Sequence, residues 1–395
     1  MKRRLTVFIF CACLCLTLLT GCGGSKIATY SGDDSGATST PADSGKGLAA
    51  YDADTVVCSV NGSDITWEEY YYFLNTYRNA AQSSYGDITD WTAASAFNPD
   101  ETNNAAILNL AQPEMLRSHL LLSEADEQKL SVSDDAVAKQ IASSVDTSSF
   151  GNNDGTCSDD EEQAFDNYLT QNSLSRALFS TIVKESMTYD ALYSNFTTGI
   201  TDEDVLSWAA DQGYMAAKHI LFLTVDKANY NSESGTYASL SDDEIAAAKA
   251  KADDVYAQLQ AVENDPDALL TLFNELMNED SEDTALKSFP DGYCFKAGGT
   301  SQAAFEAAAA SLDENYGLSG VTQTDLGYDI ILRVPLDPSM TMGYNSSSGT
   351  SSGTAYSLRD YCLSQKFGDQ IEQWYTAAQI NWNDSFDTLD LSTVF

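Results

Sequence analysis

Two short apolar runs organise the pattern of this chain, Ala217–Val225 and Gly327–Val334. Each is rich in β-forming residues, is bounded by turn-type residues and is too short for a stable helix, so both predict central strands of one sheet. Before them the period changes. Val56–Val60 predicts a strand, Asn61-Gly62 a tight turn, and Thr66-Trp67-Glu68-Glu69 a capping box that opens a helix to about Gln82. A polar loop over 86–104 then leads to Pro113, placed to start a helix through Met115, Leu116, Leu120 and Leu122 to about Lys129. Ser133 caps a helix striped by Val137, Ile141 and Val145, residues 146–161 read as an acidic loop, and 165–171 and 174–195 as two further helices. Thr201 starts a short helix reaching about Gln212.

Between the two strands, Ser241-Asp242-Asp243-Glu244 is a capping box for a helix to about Gln260 that turns Ala248, Ala252, Val255 and Leu259 to the sheet, and Leu269–Met277 is a second helix. After Pro338 a Gly/Ser/Asn linker precedes a last helix over about 356–378, with Leu363, Phe367, Ile371 and Trp374 on its apolar side. The fold class is therefore α+β: a mainly helical domain from 55–212, a domain over 213–338 with a small, mostly antiparallel sheet covered by helices, a linker over 339–355, and a C-terminal helical segment, 356–395, that returns to the first domain.

Composition narrows the function. With 59 acidic against 20 basic residues the formal charge is −39, a surface that repels nucleic acid and anionic lipid. The start is the exception: Met1-Lys2-Arg3-Arg4 is cationic, Leu5–Leu19 is an apolar run short for a membrane span, and Leu19-Thr20-Gly21-Cys22 sets small residues before a cysteine. This resembles a bacterial lipoprotein signal. The resemblance implies removal of residues 1–21, lipid attachment at Cys22 and anchoring at the outer face of the cell membrane. Residues 22–54, poor in large apolar side chains, then form a flexible tether. Cys58, Cys157, Cys294 and Cys362 are too scattered for a zinc site and read as buried free thiols.

Chemistry is sparse. The helical region carries no phosphate loop, no metal-spaced cluster and no nucleophile paired with a base. His119 has no Cys, Asp or Glu at ligand spacing and reads as structural. His219 sits on a strand of apolar neighbours, where a satisfied core histidine and a functional one are both compatible with the pattern.

The order of features resembles the lipid-anchored PrsA-like foldases and their SurA-like periplasmic relatives. The similar stretches are the strand-turn-helix opening at Val60-Asn61-Gly62, Ala125–Ser133, Ile200–Glu203, and Lys218-His219-Ile220-Leu221, which resembles the first strand of a parvulin-type peptidyl-prolyl isomerase. The resemblance implies a polar network of His219, Asp283, Thr324 and Asp329 and a proline pocket walled by Phe305, with Ser301 as a further substrate-binding residue; where parvulins carry a methionine this chain has Thr300 or Ser301. It also implies no cofactor or metal, and unfolded or proline-containing exported polypeptides as partners. Asp329 stands where the family has a second histidine, and Phe289–Tyr293 where it has Gly-Gly-Asp-Leu-Gly. A holdase of the same architecture without isomerase activity is the alternative. A solute-binding lipoprotein would need repeated strand-helix alternation, which the helical run before Gln212 lacks.

Overall fold

The computed structural model describes residues 46–395, apart from 173, 233, 301, 315 and 346–353. Among the described residues two compact units emerge, one comprising residues 46–198 together with Phe367–Phe395, the other Gly199–Lys366. The fold class is the expected one, helices with small antiparallel sheets.

The first unit opens with a hairpin of β1 (Val56–Val60) and β2 (Ser63–Thr66). Its turn places Asn61 at φ 52° and Gly62 at φ 83°, the left-handed pair that an Asn-Gly turn supplies at least steric cost. The late strand β11 (Ile380–Trp382) pairs with the free edge of β1, matching Cys58 to Trp382 and Val60 to Ile380. Five helices follow the hairpin: α1 (Trp67–Tyr85), α2 (Asn103–Gln128), α3 (Asp134–Asp146), α4 (Asp159–Gln171) and α5 (Arg176–Thr197). Trp67, Tyr70, Phe73 and Leu74 of α1 are buried against Ile107, Met115 and Leu120 of α2 and against Phe386, Leu391 and Val394 beyond β11. The aromatic cluster of α1 is thus core. A second core joins Val137, Ile141 and Val145 to Phe165, Leu169 and Phe179.

Three local readings are corrected here. Pro113 does not start its helix but lies inside it, because Thr102 caps the first turn by accepting from the Ala105 N–H, and Ala106, Ile107, Leu108 and Ala111 carry the buried stripe backwards past the proline. The capping box at Thr66 does not form: Thr66 makes no side-chain cap bond, and Glu69 is buried against His119 instead. The acidic loop ends at Ser158, which forms a full capping box with Glu161 and starts α4 earlier than the apolar pattern indicates.

In the second unit, α6 (Asp202–Asp211) precedes the long strand β3 (Tyr214–Leu223). The sheet runs β6-β3-β8-β7, antiparallel throughout, with β6 Tyr293–Lys296, β7 Thr322–Gln323 and β8 Gly327–Val334. Residues 318–324 contribute only the short β7 and a single bridge at Leu318. Helices α7 (Asp242–Gln260) and α8 (Pro266–Asp280) cover one face, where Ala216, Ile220, Phe222, Ile330 and Leu332 meet Ala252, Val255, Leu259 and Phe273. Alternation along β3 and β8 sends the intervening residues to the other face, covered by α9 (Ala303–Ala310).

Two further ribbons complete this unit: β4 (Val225–Asn231) with β5 (Thr236–Ser239), and β9 (Thr341–Asn345) with β10 (Thr354–Ser357), whose strands flank part of the Gly/Ser/Asn stretch. In α10 (Leu358–Ala377), Leu358 and Cys362 pack with Val205 and Ala209 of α6, whereas Phe367 and Ile371 pack with Leu121, Ala125 and Leu192 of the first unit. The four cysteines described are free, Cys58 and Cys362 buried, Cys157 and Cys294 half-buried. Among the described residues no helix is long and apolar enough to cross a membrane.

Candidate active site

The second face of the β3–β8 sheet carries the chemistry. His219 lies opposite Ile331 in the register and Asp329 opposite Leu221, so histidine and aspartate are diagonal neighbours on the same face. Asp329 Oδ1 is 2.6 Å from His219 Nδ1, and Asp329 Oδ2 accepts from the Thr324 hydroxyl at 2.7 Å. Thr324 is fixed in turn by the β7–β8 turn, its backbone N–H donating to Gly327 O at 2.8 Å.

Asp283 comes from another direction. Beyond the reach of β6, the edge of β3 is taken over by Ser281-Glu282: Ser281 Oγ and Glu282 Oε2 accept from the Leu221 and Leu223 N–H groups at 3.0 and 2.7 Å, and the Glu282 N–H donates to Leu221 O at 2.8 Å. That pairing delivers Asp283 to the far edge of the imidazole, with Oδ2 3.2 Å from Nε2. Tyr293 adds a phenol that the sequence reading did not assign to the site; its hydroxyl donates to Asp283 Oδ2 at 2.5 Å. The register explains its arrival, since Tyr293 pairs with Ala217 on β3, two residues from His219. Its backbone is set by Gly292, where φ is +97° and a Cβ would come within 2.7 Å of Ala217 O.

The electrostatics follow. Burial alone would lower the His219 pKa, but the hydrogen bonds that its ring N–H groups donate to Asp283 and Asp329, together with the charges of those carboxylates, raise it to about 9. The ring is an imidazolium at neutral pH. Asp283 feels the converse: burial favours its neutral form, and the His219, Tyr293 and Ala285 hydrogen bonds outweigh it and hold the carboxyl well below the usual range. Both ring nitrogens are engaged by carboxylates on opposite edges, leaving neither for a metal ion.

The apolar wall is Phe305. Its ring is 94% buried, edge-on to His219 at 5.2 Å between centroids and 5.3 Å from Phe295, in a cluster with Ala217, Ala309 and Ile331. Glu306, the next residue, orients this helix by accepting from the Gly298 and Thr300 N–H groups, each at 2.6 Å. Of the residues expected at the site, His219, Asp283, Thr324, Asp329 and Phe305 are brought together; Ser301 and Cys22 lie outside the described residues.

Residues 219–334 match the family model of the PPIC-type PPIase domain, and residues 35–193 that of the SurA-like N-terminal domain. The chain carries a SurA-like N-terminal domain and a parvulin-type peptidyl-prolyl isomerase domain. Among curated proteins there is no match. Among solved structures, the foldase protein PrsA of Streptococcus pneumoniae is 16% identical, with 86% of this chain and 100% of that one covered at a TM-score of 0.26. PrsA of Bacillus subtilis is also 16% identical, covering 86% and 99% at 0.23. A match to SurA-like chaperones of Campylobacter jejuni, again 16% identical, covers 82% and 93% at 0.22.

Proposed function

We propose that this chain is a membrane-anchored, extracytoplasmic chaperone and foldase that isomerises X–Pro bonds in exported polypeptides while they fold. The observation that carries the reading is the pairing of an imidazolium, fixed between Asp283 and Asp329, with the Phe305 ring on one sheet face. Rotation about a prolyl amide needs no bond cleavage and no cofactor, only relief from a barrier of roughly 18–20 kcal/mol. The planar amide is the more polar form, so an apolar wall that grips the proline ring binds the twisted amide comparatively better. The charged network fixes the polar edge of the site, so this preference is built in before substrate arrives.

Anchoring rests on the signal and on Leu19-Thr20-Gly21-Cys22. A diacylglycerol on Cys22 with a further acyl chain would hold the protein stably at the membrane, and the tether would give it reach. A Cys22→Ala precursor is therefore expected to be released or misprocessed on fractionation; unchanged membrane retention at a normal mature mass would refute the anchor. The isomerase reading is tested by the refolding rate of a proline-limited client, which the chain should accelerate in proportion to its concentration. Suppressed aggregation without acceleration would leave a holdase in which the site only binds extended peptide.

A further inference from the structure

The other histidine has a different environment. His119 of α2 is 95% buried in the first unit, and its Nε2 lies 2.9 Å from the Ser63 hydroxyl. Its Nδ1 faces two carboxylates, Glu69 Oε1 of α1 at 3.2 Å and Glu185 Oε1 of α5 at 3.9 Å. The contrast with His219 is instructive. There the acids sit on opposite edges of the ring, so each nitrogen can offer a proton to one of them. Here both acids converge on one nitrogen, which has at most one proton to share.

The shortfall is visible. Glu185 is 95% buried, and its Oε1, aimed into this cluster, has no hydrogen-bond partner. Among the described residues no Lys or Arg pairs with Glu69 or Glu185; nearby Lys184 is engaged by Asp134 instead. An unpaired buried acceptor next to a second carboxylate is costly, and in native proteins such an arrangement asks for a positive charge at its centre.

We propose that Glu69, His119 and Glu185 form a buried binding site for a divalent transition metal of the zinc class. The three ligand atoms lie within 4.8 Å of one another. Ligands about 2.0–2.2 Å from one ion stand roughly 3–3.5 Å apart, so the 3.2 Å separation from Glu69 to Nδ1 already fits and the 3.9 Å separation from Glu185 needs only a small contraction. One imidazole and two carboxylates are a donor set that zinc accepts, and Ser63 serves as the outer partner by accepting the Nε2–H, which turns the Nδ1 lone pair inward.

A way in exists. Ser63 and Thr188 also line a surface cleft of about 480 Å³ beside the cluster. Thr188 stands three residues after Glu185 on α5, and its buried hydroxyl likewise has no partner. An ion held here would tie α1, α2 and α5 together, making the stability of the SurA-like domain depend on metal outside the cytoplasm.

The test uses the full-length mature chain, stripped with chelator and titrated with Zn²⁺. One ion per chain should be retained, and the melting temperature of this unit should rise by roughly 5–10 °C at a free metal concentration a hundredfold above Kd. Glu185→Gln keeps the side-chain volume while removing a charge. It should melt no lower than the stripped wild type yet lose the metal-dependent rise, so loss of binding is separated from loss of folding. His119→Gln should also lose the rise, whereas His219→Gln, in the other unit, should keep it. No retained metal in the wild type, or equal retention in the Glu185 and His119 variants, would overturn the site and leave a shared proton in its place.

Discussion

A chain ended after Gln379 is expected to lose the fold of its first unit. The missing segment supplies β11, which pairs along β1 from Cys58 to Val60, and four buried side chains of the main core, Phe386, Leu389, Leu391 and Val394. At about 1.5–3 kcal/mol for each large apolar side chain buried, their loss alone is comparable to the roughly 5–15 kcal/mol by which whole domains are stable. Polar contacts go with them. The Tyr70 hydroxyl donates to Phe386 O at 3.0 Å, the Leu391 N–H to Asn104 Oδ1 at 2.7 Å, and the Asn104 amide to Leu389 O at 3.1 Å, so deletion strands buried groups on α1 and α2. Hydrogen exchange should show amides of Trp67–Tyr85 and Asn103–Gln128 losing protection together. Protection at wild-type levels would mean that the tail merely decorates a core able to stand alone.

The dependence of an N-terminal hairpin on C-terminal residues shows where sequence reasoning works and where it stops. Period-two and period-3.6 patterns expose β3, β8, α7 and α8 because each buries one regular face, and Asp283, Thr324, Asp329 and Phe305, which meet around His219, could be assigned with it by resemblance to a motif. What local patterns do not carry is the identity of a partner on another element. Thr66 and Glu69 have the spacing of a capping box, yet Glu69 faces His119, which no spacing rule connects to it. For the same reason the convergence of Glu69, His119 and Glu185 was hidden: each helix contributes one side chain, so no motif forms along the chain. Pro113 misled in the opposite sense, a strong local signal overridden by the apolar stripe on both sides of it. Tyr293 was within reach, because alternation in Tyr293-Cys294-Phe295 marks a strand whose tyrosine and Phe295 share a face.

Phe305→Ala is expected to abolish most of the acceleration of proline-limited refolding. The ring touches both parts of the site, packing at 5.2 Å against His219 and at 5.3 Å against Phe295, so its removal opens the wall and lets water reach the imidazolium. Truncating a buried phenylalanine costs about 3–5 kcal/mol where the site cannot collapse, so circular dichroism must first show that the second unit is still folded. Phe305→Leu restores an apolar wall at smaller volume and should recover part of the rate, which a merely unstable domain would not predict. The network behind the wall gives an independent readout. With the His219 pKa near 9, wild-type activity should be flat from about pH 6 to 8, because the ring stays charged throughout. Asp329→Asn removes a charge 2.6 Å from Nδ1 and should bring the titration of His219 down into that interval, giving the variant a pH dependence that the wild type lacks. A Phe305→Ala variant that is folded and fully active would remove the apolar wall from the mechanism. Equal pH profiles for wild type and Asp329→Asn would show that the imidazolium has no part in it.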